Sequence, residues 1–538
     1  MTHKWWQRGV IYQIYPRSWA DGNGDGVGDF AGILRRLEYL PDLGVDAIWI
    51  SPFYPSPQAD FGYDVSDFVD VDPVYGNLND FDLLVSAAHE LGLKLIIDWV
   101  PNHTSDLHPW FLDSRSSRDS AKRDWYVWRD PKPDGSLPNN WPAVFGGPAW
   151  EFDEQTGQYY LHSFLVEQPD LNWRNPEVED AMLSTLDFWL DRGVDGFRMD
   201  VILRCMKDPL LRDLPPAEGG LSDVFKLDEE YARWDHIYDT THPDIHGLLE
   251  KIRRRVDGHP SDGEKVIIGE LHEFDWYRWA SFFGRDNDEL NLPFNFVLIS
   301  CGLDPAAIRR AIVGVEASLP SGAWPNWVIG NHDEPRVTRR MGWESSKAAA
   351  VLLLTLRGTP TIYYGDEIGM LESEIPPELQ KDPWGKRKPG FGRDGCRTPM
   401  QWDKSRWGGF GEGKPPWLPV KEANRISVEA EAGDPASHLE LYRSLLRLRR
   451  THAALEVGDI EVVGDWDIPN PLTYWRTLGD DRVFVGANLS DCDVSLRVEG
   501  VNGVVLAGTD PSKIGEKGEG VSRLGPWEAV VIGLNTQS

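Results

Sequence analysis

Residues 93–103 read LKLIIDWVPNH. An unbroken apolar run with no polar alternation ends in a carboxylate, a proline and a histidine. Such a run fits a strand buried on both faces, as in a parallel sheet covered by helices. Seven more runs of this kind punctuate the chain: Val10–Tyr15, Ala47–Ser51, Gly196–Ile202, Val266–Glu270, Leu292–Ile299, Trp327–Asn331 and Pro360–Tyr364. Between them, apolar residues recur at spacings of three and four in Phe30–Leu43, Asp82–Leu91, Val178–Leu190, Asp244–Val256, Pro305–Val315 and Ser346–Leu356. That spacing is the helical period. Strand-then-helix units in this order predict an α/β fold, a (β/α)8 TIM barrel.

Two stretches interrupt the alternation. Residues 104–173, after the third strand, are rich in Asp, Pro, Trp and Ser and far longer than an ordinary connection, which predicts an inserted subdomain. A second insertion, about 365–435, follows the eighth strand. The barrel is therefore expected over 1–103 and 174–455. After the helix His438–Arg450 the pattern changes. Alternating segments such as Ile460–Val463, Arg482–Leu489 and Val494–Val498 predict a C-terminal antiparallel β-sandwich over 456–538.

The charge balance excludes several functions. With 86 acidic and 55 basic residues the net charge is −31, so phosphate backbones and anionic lipid surfaces repel the chain. The four cysteines, Cys205, Cys301, Cys396 and Cys492, have no CxxC spacing and support neither a disulfide framework nor a zinc site. The N-terminus shows no secretory h-region, and no apolar run is long enough to span a bilayer. A cytoplasmic protein is expected, monomeric or a weak homodimer, binding neither nucleic acid nor membrane.

Barrel enzymes react at the C-terminal ends of their strands. The residues ending the runs are Asp98, Asn102 and His103 on the third, Arg198 and Asp200 on the fourth, Glu270 on the fifth, and Asn331, His332 and Asp333 on the seventh. One such aspartate alone is often only a helix cap. Four carboxylates, two histidines and an arginine on one rim point to catalysis. No HExxH spacing accompanies them, so catalytic zinc is not expected.

The segments DWVPNH (98–103), GFRMD (196–200), GE (269–270) and NHD (331–333) resemble glycoside hydrolase family 13, the α-amylase family. Further stretches, GVIYQIYPRSW (9–19), DGNGDGVGD (21–29), QPDLNW (168–173) and RTPMQWD (397–403), are similar to its oligo-1,6-glucosidase and α-glucosidase branch. The resemblance implies a retaining mechanism, in which one carboxylate is the nucleophile and a second serves as acid and then base. Asp200 then matches the nucleophile, its pKa expected to be lowered by Arg198 on the same strand face. Glu270 matches the general acid/base and Asp333 the transition-state stabiliser. His103 and His332 match hydroxyl-binding histidines, with Asp98 orienting Arg198.

By the same resemblance Asp60 and Arg397 form the pair that closes the sugar pocket and makes action exo. Tyr63, Phe145, Phe164 and Gln168 match its lining. Val201, after the nucleophile, matches members that prefer α-1,6 linkages, so α-1,6 preference with some α-1,4 activity is expected. Asp21, Asn23, Asp25, Val27 and Asp29 alternate oxygen ligands with glycines in the manner of a hard-cation loop. The branch binds Ca²⁺ (or Mg²⁺) there in a structural role. The loop misses the GxGxxG spacing, and no organic cofactor is expected. Expected substrates are short α-glucosides. Two alternatives use the same fold: a transglucosylase or sucrose-isomerising enzyme with the same triad, and a non-enzymatic transporter heavy-chain scaffold. The intact carboxylates and the lack of an anchor argue against the scaffold.

Overall fold

The computed structural model describes residues 3–217, 229–468, 470–496, 501–518 and 521–534. The strands, in chain order, begin with β1 (Ile11–Ile14), β2 (Ala47–Ile50) and β3 (Lys94–Trp99). Three short strands follow in the first insertion: β4 (Trp128–Arg129), β5 (Trp150–Asp153) and β6 (Gln158–Leu161). The main sheet resumes with β7 (Gly196–Met199), β8 (Val266–Gly269), β9 (Leu292–Pro293), β10 (Asn326–Val328) and β11 (Thr359–Tyr363). Its eight strands pair in the order β10-β11-β1-β2-β3-β7-β8-β9, and every pair is parallel. This is the TIM barrel.

Where β9 and β10 meet, the Asn326 side chain bridges the seam. Its Nδ2 donates to the Pro293 carbonyl at 2.9 Å and its Oδ1 accepts from Asn295 N at 3.0 Å. Pro293 has no N–H to offer a ladder. The same proline shortens the expected strand Leu292–Ile299. Only its first two residues are extended, and Val297–Cys301 is helical, with Val297 N bonded to the Asn295 side chain at 3.1 Å. The expected helix Phe30–Leu43 is likewise two helices, Phe30–Arg35 and Tyr39–Leu43. Pro41 cannot donate back to Leu37, which a continuous helix requires.

Side chains alternate between two cores. Ile11, Trp49, Ile96, Val266, Ile268 and Val328 fill the barrel interior. Tyr12, Ile48, Ile50, Ile97, Phe197, Met199 and Ile267 pack outward against the helices. Asp98, Arg198, Asp200 and Glu270 keep the inward parity of Ile96 and Ile268, so the period-two rule sends all four to the mouth of the interior.

The first insertion carries the antiparallel sheet β4-β6-β5 and a small core of Trp141, Ala143, Ala149, Trp150 and Leu161 that also takes Leu214. At the C-terminus, β12 (Asp459–Val463), β13 (Leu472–Leu478), β14 (Asp481–Ala487), β15 (Val494–Ser495), β16 (Gly503–Gly508), β17 (Arg523–Leu524) and β18 (Ala529–Leu534) form two antiparallel sheets, β12-β13-β14-β18-β16 and β15-β17. Trp475, Phe484, Leu496, Leu524 and Ile532 fill the space between them. Tyr474, Val483, Val485 and Val531 join the barrel core on the other face. The end of the expected strand Val494–Val498 lies outside the described residues. No described helix is long and apolar enough to cross a membrane.

Gly196 lets β7 approach β8. A Cβ there would lie 2.4 Å from the Val266 carbonyl and 2.5 Å from its Cγ1. Gly196→Ala is expected to destabilise the protein by about 1–3 kcal/mol, read as a lower midpoint in chemical denaturation. An unchanged midpoint would contradict this packing.

Candidate active site

The site is built around Arg198, of which 1% of the side chain is exposed. Its Nη1 donates to Asp98 Oδ1 at 2.7 Å and to Asp200 Oδ1 at 2.8 Å, and its Nη2 meets Glu270 Oε2 at 2.8 Å. The sheet register explains the meeting. Asp98 pairs with Arg198 across β3 and β7, and Arg198 pairs with Ile268 across β7 and β8. Two residues on, Asp200 and Glu270 therefore share the next layer, side by side on one guanidinium. The Trp49 ring lies 5.1 Å from that guanidinium and its Nε1 donates to Asp98 Oδ2 at 3.1 Å.

One cation among three carboxylates leaves an excess of negative charge. Burial pushes Asp98 up to about 6, against the pull of Arg198. Burial also holds Asp200 well above the ordinary carboxylate range, with Glu270, Asp98 and Asp333 adding to the effect and Arg198 opposing it. Arg198 does lower Asp200, as expected from its place on the strand, but burial outweighs that pull, and the same guanidinium also serves Asp98 and Glu270. Proton affinity at Asp98 and Asp200 is therefore higher than in an isolated carboxyl group.

Val201 has φ 36° and ψ 40°, a left-handed conformation that β-branched residues disfavour. Its amide donates to Glu270 Oε2 at 2.9 Å. This contact and that of Arg198 both fall on Oε2.

Asp333 sits between a histidine and two arginines. His332 Nε2 lies 3.1 Å from its Oδ2, and Arg393 and Arg397 each donate to its Oδ1 at 3.0 Å. Burial alone would raise its pKa, but His332, Arg393 and Arg397 outweigh that and hold it far below the usual range. Burial pushes His332 down to about 3. Gln13 Nε2 lies 2.8 Å from its Nδ1, so that nitrogen accepts and Nε2–H is left to donate. The ring is stacked against Tyr63 at 5.3 Å, and the Tyr63 hydroxyl lies 2.6 Å from Nε2.

The arginine facing Asp60 is not the expected one. Arg393 Nη2 donates to Asp60 Oδ1 at 2.6 Å and to Asp382 Oδ1 at 2.7 Å. Arg397 instead turns to the His332 carbonyl at 2.7 Å and to Asp333. The reason is local: a 3-10 turn over Asp394–Cys396 separates the two arginines and aims them differently. Arg393 and Asp382 were missed in the sequence, where nothing in GRDGCRT distinguishes one guanidinium from the other.

The remaining expected residues gather here. Gln168 Nε2 reaches Asp60 Oδ2 at 3.4 Å and His103 Nε2 at 3.1 Å. Burial pushes His103 down to about 4. Phe164 lies 5.3 Å from the His103 ring and 5.7 Å from Phe145, and Arg393 lies over Phe145 at 5.1 Å.

The loop over 21–29 stands apart from this cluster. Asp21 accepts from the amides of Asn23, Gly24 and Gly26, Asp25 from Val27, and Asp29 from Gly22 and Gly32. Burial raises Asp29, and the charges of Asp21 and Asp25 add to the effect. Among the described residues no group of three or more His, Cys, Asp or Glu side chains converges as a metal cluster.

The α-amylase catalytic-domain family model matches residues 13–458. The chain belongs to glycoside hydrolase family 13. Within the family it is 44% identical over 502 residues to a probable α-glucosidase of Rhizobium meliloti, covering 90% of each chain. It is 37% identical over 574 residues to an oligo-1,6-glucosidase of Parageobacillus thermoglucosidasius, covering 99% of each. Among solved structures, the α-glucosyl transfer enzyme XgtA superposes with TM-score 0.90 at 40% identity, covering 99% of this chain and 100% of that one. The trehalulose synthase MutB from Pseudomonas mesoacidophila MX-45 superposes with TM-score 0.87 at 34% identity and the same coverage.

Because the charge of Asp98 adds to the raised pKa of Asp200, Asp98→Asn is expected to move the acid limb of kcat/KM to lower pH by about one unit. A pH–rate profile on an aryl α-glucoside measures the shift. An acid limb at or above the wild-type position would contradict this effect of Asp98.

Proposed function

We propose that this protein is a retaining, exo-acting α-glucosidase that releases terminal non-reducing glucose from short α-glucosides. The observation that carries the reading is the pair Asp200 and Glu270 on one guanidinium. In the proposed sequence, Asp200 Oδ2 attacks the anomeric carbon as the bond to the leaving oxygen breaks, and Glu270 gives that oxygen its proton. Glu270 then takes a proton from water, whose oxygen attacks the same carbon and frees Asp200. Asp333, held ionised, would grip sugar hydroxyls and stabilise the positive charge developing on the ring. Neutral His103 and His332 suit hydroxyl recognition, His332 through its Nε2–H.

Exo action draws support from Arg393, locked between Asp60, Asp382 and Asp333. A guanidinium fixed this way forms a rigid, donor-rich end to the pocket. Tyr63, Phe145, Phe164 and Gln168 would line it. Val201 is the basis for α-1,6 preference with some α-1,4 activity, a difference worth about 1–3 kcal/mol. A second reading, glucosyl transfer or sucrose isomerisation through the same glucosyl–Asp200 intermediate, is favoured by the similarity to XgtA and MutB.

We also propose a structural Ca²⁺ (or Mg²⁺) at the 21–29 loop, held by Asp21, Asn23, Asp25, the Val27 carbonyl and Asp29. Three mutually repelling carboxylates that make no ion pair among the described residues suit a hard cation.

Asp200→Asn is expected to lower kcat at least about a thousandfold, and wild-type kcat/KM should be higher on isomaltose than on maltose. A tenfold advantage for maltose would overturn the linkage preference, and product analysis at high maltose or sucrose separates hydrolysis from transfer. Dialysis against a chelator is expected to remove about one ion per chain and lower the melting temperature. Absence of metal together with an unchanged melting temperature would remove the cation.

A further inference from the structure

The starts of the barrel strands, at the end away from the catalytic rim, border a cavity of about 400 Å³. Pieces of chain far apart in sequence enclose it. They are the helix Trp5–Arg8, the residues Val10, Asp46 and Lys94 at the starts of β1, β2 and β3, and the consecutive helices His438–Thr451 and Ala453–Val457. The charged lining sets Arg8, Lys94, Arg449 and Arg450 against Asp46 and Glu456. Even counting Asp195, which bonds Lys94 from outside the lining, cations lead four to three. In a chain of net charge −31 this is a local reversal.

The two lining carboxylates are already engaged. Glu456 spends both oxygens on Arg8, at 2.9 and 3.0 Å. Asp46 accepts from Arg450 at 3.1 Å and from Val10 N at 2.9 Å. The cations keep donors in reserve. Arg8 and Arg450 are exposed, and Arg8 Nη1 with Arg450 Nε and Nη1 have no hydrogen-bond partner among the described residues.

Arg449 lies deeper and is buried. Its acceptors among the described residues are all main-chain carbonyls, those of Leu455 at 3.0 Å and Gly358 at 2.6 Å foremost. Its Nε is buried without any partner. A buried charge that no opposite charge meets is costly. Burial accordingly pushes Arg449 down to about 10, with Asp46 and Glu456 opposing. The cavity thus combines exposed guanidinium donors with a buried guanidinium that lacks a counter-charge. Planar forks of this kind match the oxygens of a phosphate.

We propose that this basal cavity binds a phosphate group, either the free ion or the phosphate of a small ester such as a sugar phosphate. Its volume lies within the range of roughly 300–1,000 Å³ that suits small metabolites. The overall negative charge does not oppose this, because screening limits distant repulsion to about 8–10 Å while the cavity cations act at contact. A bound dianion would tie the N-terminal helix and the helices leading into the C-terminal sheets to the strand starts, and so stabilise the fold.

Titration calorimetry on the full chain, at constant ionic strength, uses inorganic phosphate and glucose 6-phosphate as probes. One saturable site per chain is expected, and saturating phosphate should raise the melting temperature. Equal affinities would assign recognition to the phosphate group alone, and a tenfold preference for glucose 6-phosphate would assign the ester. In the double variant Arg8→Gln/Arg450→Gln affinity is expected to fall at least about tenfold. Gly92 gives a second check that does not disturb the ion pairs. It lines the cavity with φ 77° and has open space where a Cβ would stand. Asp and Asn both tolerate such a backbone. Gly92→Asp, which adds a negative charge, should bind phosphate several-fold more weakly than Gly92→Asn, which has the same shape. Activity on an aryl α-glucoside should be unchanged in all three proteins, which shows that they are folded. Any of three results overturns the proposal: no saturable binding by wild type tighter than about 10 mM, double-variant affinity within threefold of wild type, or Gly92→Asp no weaker than Gly92→Asn.

Discussion

One buried guanidinium, shared among Asp98, Asp200 and Glu270, ties together three adjacent strands of the barrel and the two carboxyl groups proposed to carry the chemistry. An ion cluster of this kind is costly to bury, and removing one partner of such a pair costs about 3–5 kcal/mol because the others are left uncompensated. Its value here is geometric. Arg198 offers two terminal nitrogens in a rigid plane, and the parallel register sets Asp98 and Ile268 opposite it. Asp200 and Glu270 then need only their inward parity to meet. Lysine in this place would supply charge without the fork.

Electrostatics divides the site into two unlike halves. Around Arg198, carboxylates outnumber cations and proton affinity rises. Around Asp333, two guanidinium groups on one oxygen and the His332 ring at the other outweigh the effect of burial, and its pKa falls. The two halves thus differ in the direction in which their carboxyl groups shift. This contrast follows from which partners reach each carboxyl group, and the order of residues along the chain does not display it.

Much of the architecture was legible because strand parity and run length are local properties. LKLIIDWV, GFRMD and VIIGE announce buried strands, and their last inward residues announce the rim. The failures came where one residue vetoed a pattern or where long-range aim mattered. Pro293 ends a strand that looked eight residues long, and Pro41 divides a helix whose apolar spacing is continuous. The exchange of Arg393 for Arg397 is of the second kind: both are in the same short segment, and only the 3-10 turn between them decides which one faces Asp60. The raised proton affinity of Asp200 was hidden for a similar reason, since its arginine could be read from the sequence but its burial and the nearby charges of Glu270 and Asp98 could not.

Val201 carries a left-handed backbone that glycine or asparagine would adopt more readily, a strain on the order of 1–3 kcal/mol. Directed evolution for heat resistance, screened on folding alone, would be drawn to this position and would replace the valine. The rigidity that aims the Val201 amide at Glu270 would go with it. Thermostability campaigns on this scaffold therefore need a turnover screen at every round, because the most inviting stabilising substitution lies one residue from Asp200.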